Sequence, residues 1–415
     1  MVIPVYNLKE FILVYTAIIG QMDKTLAYKN LPGSTDYIRK TIKQLVNEKL
    51  IKQSGKTTYR LLQPNGITFI QNKSPQLYQH YMNITGGHKF GGKQTYQQRC
   101  KKMSSLLNYL LSQHVKIDQL QLSYEPNHFG QKCPSQLGNK EPAEKPFIQT
   151  GDPTSGSRRN EDFTVLLRKS LFCSDSFLTS KMLYSQMTAN KNVATARTSL
   201  SRIFGVTLGG SNLYPTYFIT TEKEKWSKNV EETIKLSLQA MWINTINDRS
   251  LLCRKKSLHQ QGEAIFYVPD FELLIDMLHE TNLASKQGQV KPWHIYDGAY
   301  VLPMDTRALG IRQILTAPRW EEKLASALFT EAQREDVLVG DATVNGMPVF
   351  ELLTCNVHKL ITIKRLLSSV CSQLTVVAFP WQKEVLRSIS KNNITIVPVD
   401  DAAFTSIIQY IREEK

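Results

Sequence analysis

Three observations predict a multidomain chain of mixed α+β and α/β class. Its 415 residues suffice for two or three domains with cores of their own. Charge is unevenly divided: residues 1–259 hold 36 Lys and Arg against 17 Asp and Glu, whereas residues 260–415 hold 15 against 19. The apolar pattern also changes along the chain, from helices ending in a hairpin to alternating strands and helices. A basic front part of net +19 predicts contact with a polyanion, and nucleic acid is the commonest one.

Residues 1–72 read as one unit. Leu8–Gly20 is apolar enough for a buried helix, and Thr25–Asn30 predicts a short second one, ended by Leu31-Pro32-Gly33. Ser34 is a good N-cap for a third helix running to about Lys49, since its hydroxyl can accept from a free backbone N–H of the first turn. That helix places Ile38, Ile42, Leu45 and Val46 on one face and Arg39, Lys40, Lys43 and Asn47 on another. Ile51–Gln53 and Thr57–Leu62 predict two strands joined by Ser54-Gly55-Lys56. Three helices followed by a hairpin is the order of a winged helix-turn-helix. There the third helix enters the major groove and the wing lies along the backbone. Thr35, Tyr37, Arg39, Lys40, Lys43 and Asn47 are the expected groove residues, and Lys49, Lys52, Lys56 and Arg60 the expected phosphate contacts. From Met22 to Arg60 there are nine basic and three acidic residues, so affinity for DNA is expected to fall steeply with salt.

Residues 73–160 are expected to be a basic helical connector and linker. Lys73–Leu111 carries six Lys and Arg and no Asp or Glu. Gln94–Gln113 predicts a helix with Met103, Leu106, Leu107, Leu110 and Leu111 as its apolar stripe, and Ser123–Arg159 is broken by Pro and Gly throughout. The stretch Gly87-His88-Lys89-Phe90-Gly91-Gly92-Lys93 fits GxxxxGK, but Gln94 follows where a Mg²⁺-ligating Ser or Thr belongs. Tyr78–Thr85, just before it, is a poor buried strand, so a basic loop using Lys89 and Lys93 against phosphates is the expectation rather than nucleotide hydrolysis.

Residues 161–415 predict an α/β domain with a mixed sheet. Ile203–Leu208 and Tyr214–Thr220 read as an antiparallel pair, Trp226–Ile246 as a long helix, Ala264–Val268 as a strand, Asp270–Glu280 as a helix, Trp293–Leu302 as extended and Arg319–Leu328 as helical. The end alternates strand and helix from Met347 to Glu413, which predicts parallel strands with right-handed crossovers. Asp341, then a hairpin, then Glu351 on the expected strand Met347–Thr354 is an arrangement able to hold Mg²⁺ for phosphodiester hydrolysis. The spacing resembles that of PD-(D/E)XK nucleases. The lysine position of that motif is occupied by Leu353, which leaves Lys359 or Lys364 on the following helix as substitutes. Trp293, Tyr296, Tyr300, Trp320 and Trp381 fall among apolar positions and are expected in the core.

The six cysteines form no CxxC pair, which argues against a zinc finger or a disulfide scaffold and for reduced thiols in a cytoplasmic protein. No apolar run approaches 18 residues and the first residues lack a secretory pattern, so no membrane contact is expected.

The segments LVNEKLIKQSGKTTYRLLQPNGITFI and HYMNITGGHKFGGKQTYQQRCKKMSSLLNYLL resemble the replication-relaxation family, winged-helix proteins of plasmids and integrative elements. The likeness covers about the first 115 residues. SRIFGVTLGG, YPTYFITTEKEKW and VFELLTCNVHKL are similar to degenerate endonuclease-like α/β domains. The resemblance implies a part in replication, relaxation or transfer of a mobile element, and it carries over no catalytic residue. No HxH is present, which argues against relaxase nicking. The expectation is a non-catalytic double-stranded-DNA-binding protein without a cofactor, with room for a homodimer and for a protein partner at the C-terminal domain. Its alternatives are a Mg-dependent deoxyribonuclease using Asp341, Glu351 and Lys359, and an adaptor that docks protein through its winged helix.

Overall fold

The computed structural model describes residues 2–61, 64–85, 94–118, 120–124, 176–180, 182–183, 202–209, 212–221, 226–245, 262–270, 272–279, 289–335, 337–369, 373–390 and 393–413. The architecture is mixed α and β, in two compact units: residues 1–165 with 185–191, and residues 166–184 with 192–415. Among the described residues no helix is long and apolar enough to cross a membrane.

The first unit is built around α1 (Leu8–Ile19), whose residues from Phe11 to Ile19 are all buried. A helix apolar on every side belongs inside a core. Asn7 opens it by accepting from the backbone of Glu10, and Gly20 closes it at φ +83°, a left-handed cap that glycine adopts without strain. Strand β1 (Val2–Val5) runs parallel to β6 (Gln121–Tyr124). After α1 come β2 (Met22–Asp23), α2 (Lys24–Asn30), α3 (Thr35–Asn47), β3 (Ile51–Gln53) and β4 (Thr58–Leu61). The three strands form one antiparallel sheet in the order β2-β4-β3.

Next follow α4 (Asn65–Lys73), α5 (Pro75–Thr85), α6 (Gln94–Ser112) and β5 (Lys116–Ile117). Tyr78–Thr85, too poor a buried strand to precede a phosphate-binding loop, is helical. Both α5 and α6 pack on α1, so the described part of the expected connector shares a core with the opening helices. Buried His80 ties α5 down: its Nε2 lies 2.7 Å from the Ile18 carbonyl and its Nδ1 2.8 Å from an Asp118 carboxylate oxygen.

Among the described residues the second unit holds two larger sheets and one short strand pair. In the first, β7 (Ser176–Thr179), β8 (Gly205–Gly209) and β9 (Asn212–Phe218) are antiparallel, and β11 (Glu263–Val268) and β13 (Gly298–Pro303) continue parallel to β9. The short strands β10 (Trp226–Ser227) and β12 (Gln289–Val290) pair with each other, and α7 (Lys228–Thr245) and α8 (Glu272–His279) intervene along the chain. The second sheet has the order β14 (Ala342–Val344), β15 (Met347–Glu351), β16 (Leu374–Ala378), β17 (Ile394–Pro398). β14 and β15 are an antiparallel hairpin, and β15, β16 and β17 run parallel, with α12 (Val357–Ser369) and α13 (Lys383–Ile389) in the crossovers. The hairpin turn is Asn345-Gly346, both at positive φ, the backbone that a two-residue turn matching strand twist requires.

Helices α9 (Arg307–Leu315), α10 (Trp320–Leu328) and α11 (Glu331–Arg334) precede the hairpin, and α14 (Asp401–Arg412) packs on α9 and α10. The loop after β15 lies against β13, where Val301 N–H donates to the Cys355 carbonyl at 3.0 Å. Trp293, Tyr296, Tyr300 and Trp320 are buried as expected. The extended stretch expected over Trp293–Leu302 is instead a single 3₁₀ turn, Pro292–Ile295, followed by β13.

Candidate functional site

Two groups of the expected site residues come together, one in each unit. In the first unit, α3 buries Ile38, Thr41, Ile42 and Leu45 and exposes Thr35, Asp36, Tyr37, Arg39, Lys40, Lys43, Gln44 and Asn47. The Ser34 hydroxyl accepts from Tyr37 N–H at 3.3 Å, as its cap role requires. Positions 36, 40, 43 and 47 recur at helical spacing, so Asp36, Lys40, Lys43 and Asn47 form the stripe opposite the buried one. Arg39 flanks that stripe, and Tyr37 lies at the far side of the exposed face. Val46, expected on the apolar face, is 37 % exposed.

The hairpin follows at once. Ile51 and Leu61 are partners with both side chains buried, so the next pair, Lys52 and Arg60, stands opposite on the other face. Like charges directly across a ladder destabilise it. Lys52 and Arg60 are both half-buried, and Arg60 is close enough to the Tyr81 hydroxyl to act on it electrostatically. Lys56 is exposed at the turn. Lys49 has φ +56°, with Leu50 N–H donating to the Leu45 carbonyl at 2.9 Å. A lysine thus occupies the left-handed helix cap where glycine is favoured. Lys89 and Lys93 lie outside the described residues.

In the second unit the carboxylates and lysine expected from the sequence converge. Asp341 stands just before β14, and Glu351 is the last residue of β15, bringing the two to one end of the hairpin. Asp341 Oδ2 accepts from the Glu351 backbone N–H at 2.8 Å. Lys359, in the first turn of α12, donates to Asp341 Oδ1 at 2.8 Å and Oδ2 at 2.9 Å, and also to Glu351 Oε1. Glu351 accepts as well from the Thr354 hydroxyl at 3.0 Å and its N–H at 3.3 Å. Leu353, at the motif's lysine position, is fully buried, so the cation reaches the site from the helix instead. Lys364 is exposed and takes no part. Burial raises the Asp341 carboxyl above its ordinary value, Lys359 pulls it down, and Glu351 adds a further upward push. For Lys359 burial works against the ammonium, but Glu351 and Asp341 together outweigh it and hold the lysine above its ordinary value.

These three residues line a cavity of about 310 Å³ that also meets Glu263, Asp297, Glu321, Tyr300 and Trp320. Sequence reasoning missed Glu263, Asp297 and Glu321. The one local signal was Glu321 in the first turn of the helix ahead of the hairpin. Glu263 accepts from the Tyr300 hydroxyl at 2.9 Å, and Asp297 pairs with Lys235 at 3.1 Å. Two hard carboxylates beside open volume suit Mg²⁺, which takes one or two carboxylates and fills its shell with water and phosphate. Among the described residues no three His, Cys, Asp or Glu side chains group as a ready metal set. Compared with protein-family models, curated proteins and solved structures, the chain matches none.

Proposed function

We propose that this chain is a double-stranded-DNA-binding protein whose first unit is a winged helix-turn-helix. On this reading it is an accessory or regulator in replication, relaxation or transfer of a mobile genetic element. The observation that carries the reading is the solvent face of α3. Lys40, Lys43 and Asn47 share one exposed stripe, beside a hairpin that carries Lys52 and Lys56. The sheet order β2-β4-β3 around α3 agrees with that architecture. The likeness of residues 1–115 to the replication-relaxation family supplies the biological setting. Mobility-shift titration of the 415-residue chain on duplex DNA tests it. Binding at low salt that weakens by orders of magnitude at higher salt is expected, and no binding at low salt overturns the reading.

The convergence of Asp341, Glu351 and Lys359 favours a second reading, a Mg-dependent deoxyribonuclease. Asp341 and Glu351 would hold the ion, which would supply Lewis acidity at the phosphodiester. Lys359 would then be released toward phosphate. Incubating plasmid with Mg²⁺ or Mn²⁺ separates wild type from Glu351→Ala. Cleavage by wild type alone supports this reading, and equal or absent cleavage removes it.

A further inference from the structure

We infer that Arg39 is the side chain through which α3 reads base identity, that Asp36 positions it, and that its target is a guanine in the major groove. The inference rests on the DNA-binding reading above and deepens it. Arg39 Nη2 donates to Asp36 Oδ1 at 2.7 Å, from one helical turn to the next. Both side chains face solvent, at 59 % and 74 % exposure. An exposed pair of this kind contributes little to stability. An acidic residue at the head of a basic stripe also repels a polyanion. The helix-dipole benefit of a first-turn acid is small and equally available at buried-edge positions. What Asp36 does specifically is accept one hydrogen bond from Nη2, which biases the guanidinium toward this side of the helix while leaving its other N–H groups to donate.

The rest of the α3 face divides by chemistry. Lys40 and Lys43 are point charges suited to phosphates, whereas Arg39 is the helix's single arginine and alone has a planar donor fork. The O6 and N7 acceptors of guanine match that fork, in the commonest specific contact of the major groove. Holding the fork before binding reduces the rotamer freedom lost on contact. Asp36 also sets a local penalty: if no base accepts from Arg39, the carboxylate still faces the groove with only repulsion to offer.

Selection from a library of short duplexes with a randomised centre tests this, using the full chain and the variants Arg39→Lys and Asp36→Asn. Wild type is expected to enrich a guanine at one position or at its symmetry mate. Arg39→Lys keeps the charge, so its affinity for unselected duplex stays within about twofold, while guanine discrimination falls about tenfold or more. Asp36→Asn moves the two observables in opposite directions: unselected affinity rises as repulsion is lost, and discrimination falls. A merely helix-stabilising Asp36 would lower the melting temperature and leave discrimination alone, so thermal unfolding is measured alongside. Full guanine preference in Arg39→Lys, or a wild-type consensus without guanine, overturns the inference while leaving DNA binding intact. Wild type that binds no duplex at low salt removes the DNA-binding reading first, and this inference with it.

Discussion

Lys359 grips both oxygens of Asp341, at 2.8 and 2.9 Å, and so holds together two carboxylates that would otherwise repel at the end of one hairpin. Asp341 is raised above 3.8, chiefly by burial, so its ionised form opposes folding once pH exceeds the ordinary carboxylate range. Lys359 is raised above 10.5; its contribution is complete below that value and is lost as pH climbs through the folded one. Lys359→Met leaves the carboxylates uncompensated and is expected to cost about 3 kcal/mol near neutral pH. The loss shrinks under acid conditions where Asp341 takes up a proton. Denaturant unfolding of both proteins at the two pH values checks this; an equal loss at both would remove the ion-pair account.

Lys49 offers a trade between stability and binding. Its φ of +56° costs an L side chain what glycine avoids. Lys49→Gly is expected to raise stability by about 0.5–1 kcal/mol, because glycine is the favoured residue at this helix cap. On the DNA-binding reading proposed above, the same change also removes one expected phosphate contact and should weaken duplex binding several-fold at low salt. Unfolding curves and mobility-shift titrations on one preparation read both effects.

The phosphate contacts proposed for this face can be tested one by one. Single changes Lys40→Gln, Lys43→Gln, Lys52→Gln and Lys56→Gln should each lower the slope of log affinity against log salt by about one unit if the residue neutralises a phosphate. Arg60→Gln should change it less, since that guanidinium sits near Tyr81. Fluorescence anisotropy across a salt series measures the slopes. A set of unchanged slopes would mean that this face does not meet the backbone.

Gly66 is where α4 approaches the end of α3. A Cβ there would stand 2.1 Å from the Leu50 carbonyl oxygen and 3.4 Å from Leu61 Cβ. Gly66→Ala must therefore push α4 away from the hairpin, at an expected cost of about 1–3 kcal/mol. A melting temperature equal to wild type would show that α4 moves without loss.

Much of this was legible in the sequence where pattern and chemistry agree. Ser34 announced α3, and Ile38, Ile42 and Leu45 gave its buried face. Asn345-Gly346 marked the hairpin between Asp341 and Glu351, and the alternation beyond it gave the parallel strands. β2 escaped because two residues carry no period. α4 and α5 escaped because their buried residues, Ile70, Leu77, Tyr81 and Ile84, are thinly spaced among polar ones. Lys359 was legible only as a substitute, since spacing alone does not say which side of a helix meets a strand end. Glu263 and Asp297 were not legible at all: they reach the cavity from β11 and from the turn before β13, far from Asp341 in the chain.

Strand β17 forms one border of its sheet, and among the described residues no strand pairs with its outer side. Such a border is a template on which other molecules can add and aggregate. Pro398 ends the row of donors, because proline has no N–H, and Asp400 caps the next helix directly afterwards. The exposed edge is thereby kept to Ile394–Val397, and a short edge is a weaker template than a long one. Proline and helix cap together thus shorten the edge at which this sheet could add a further strand.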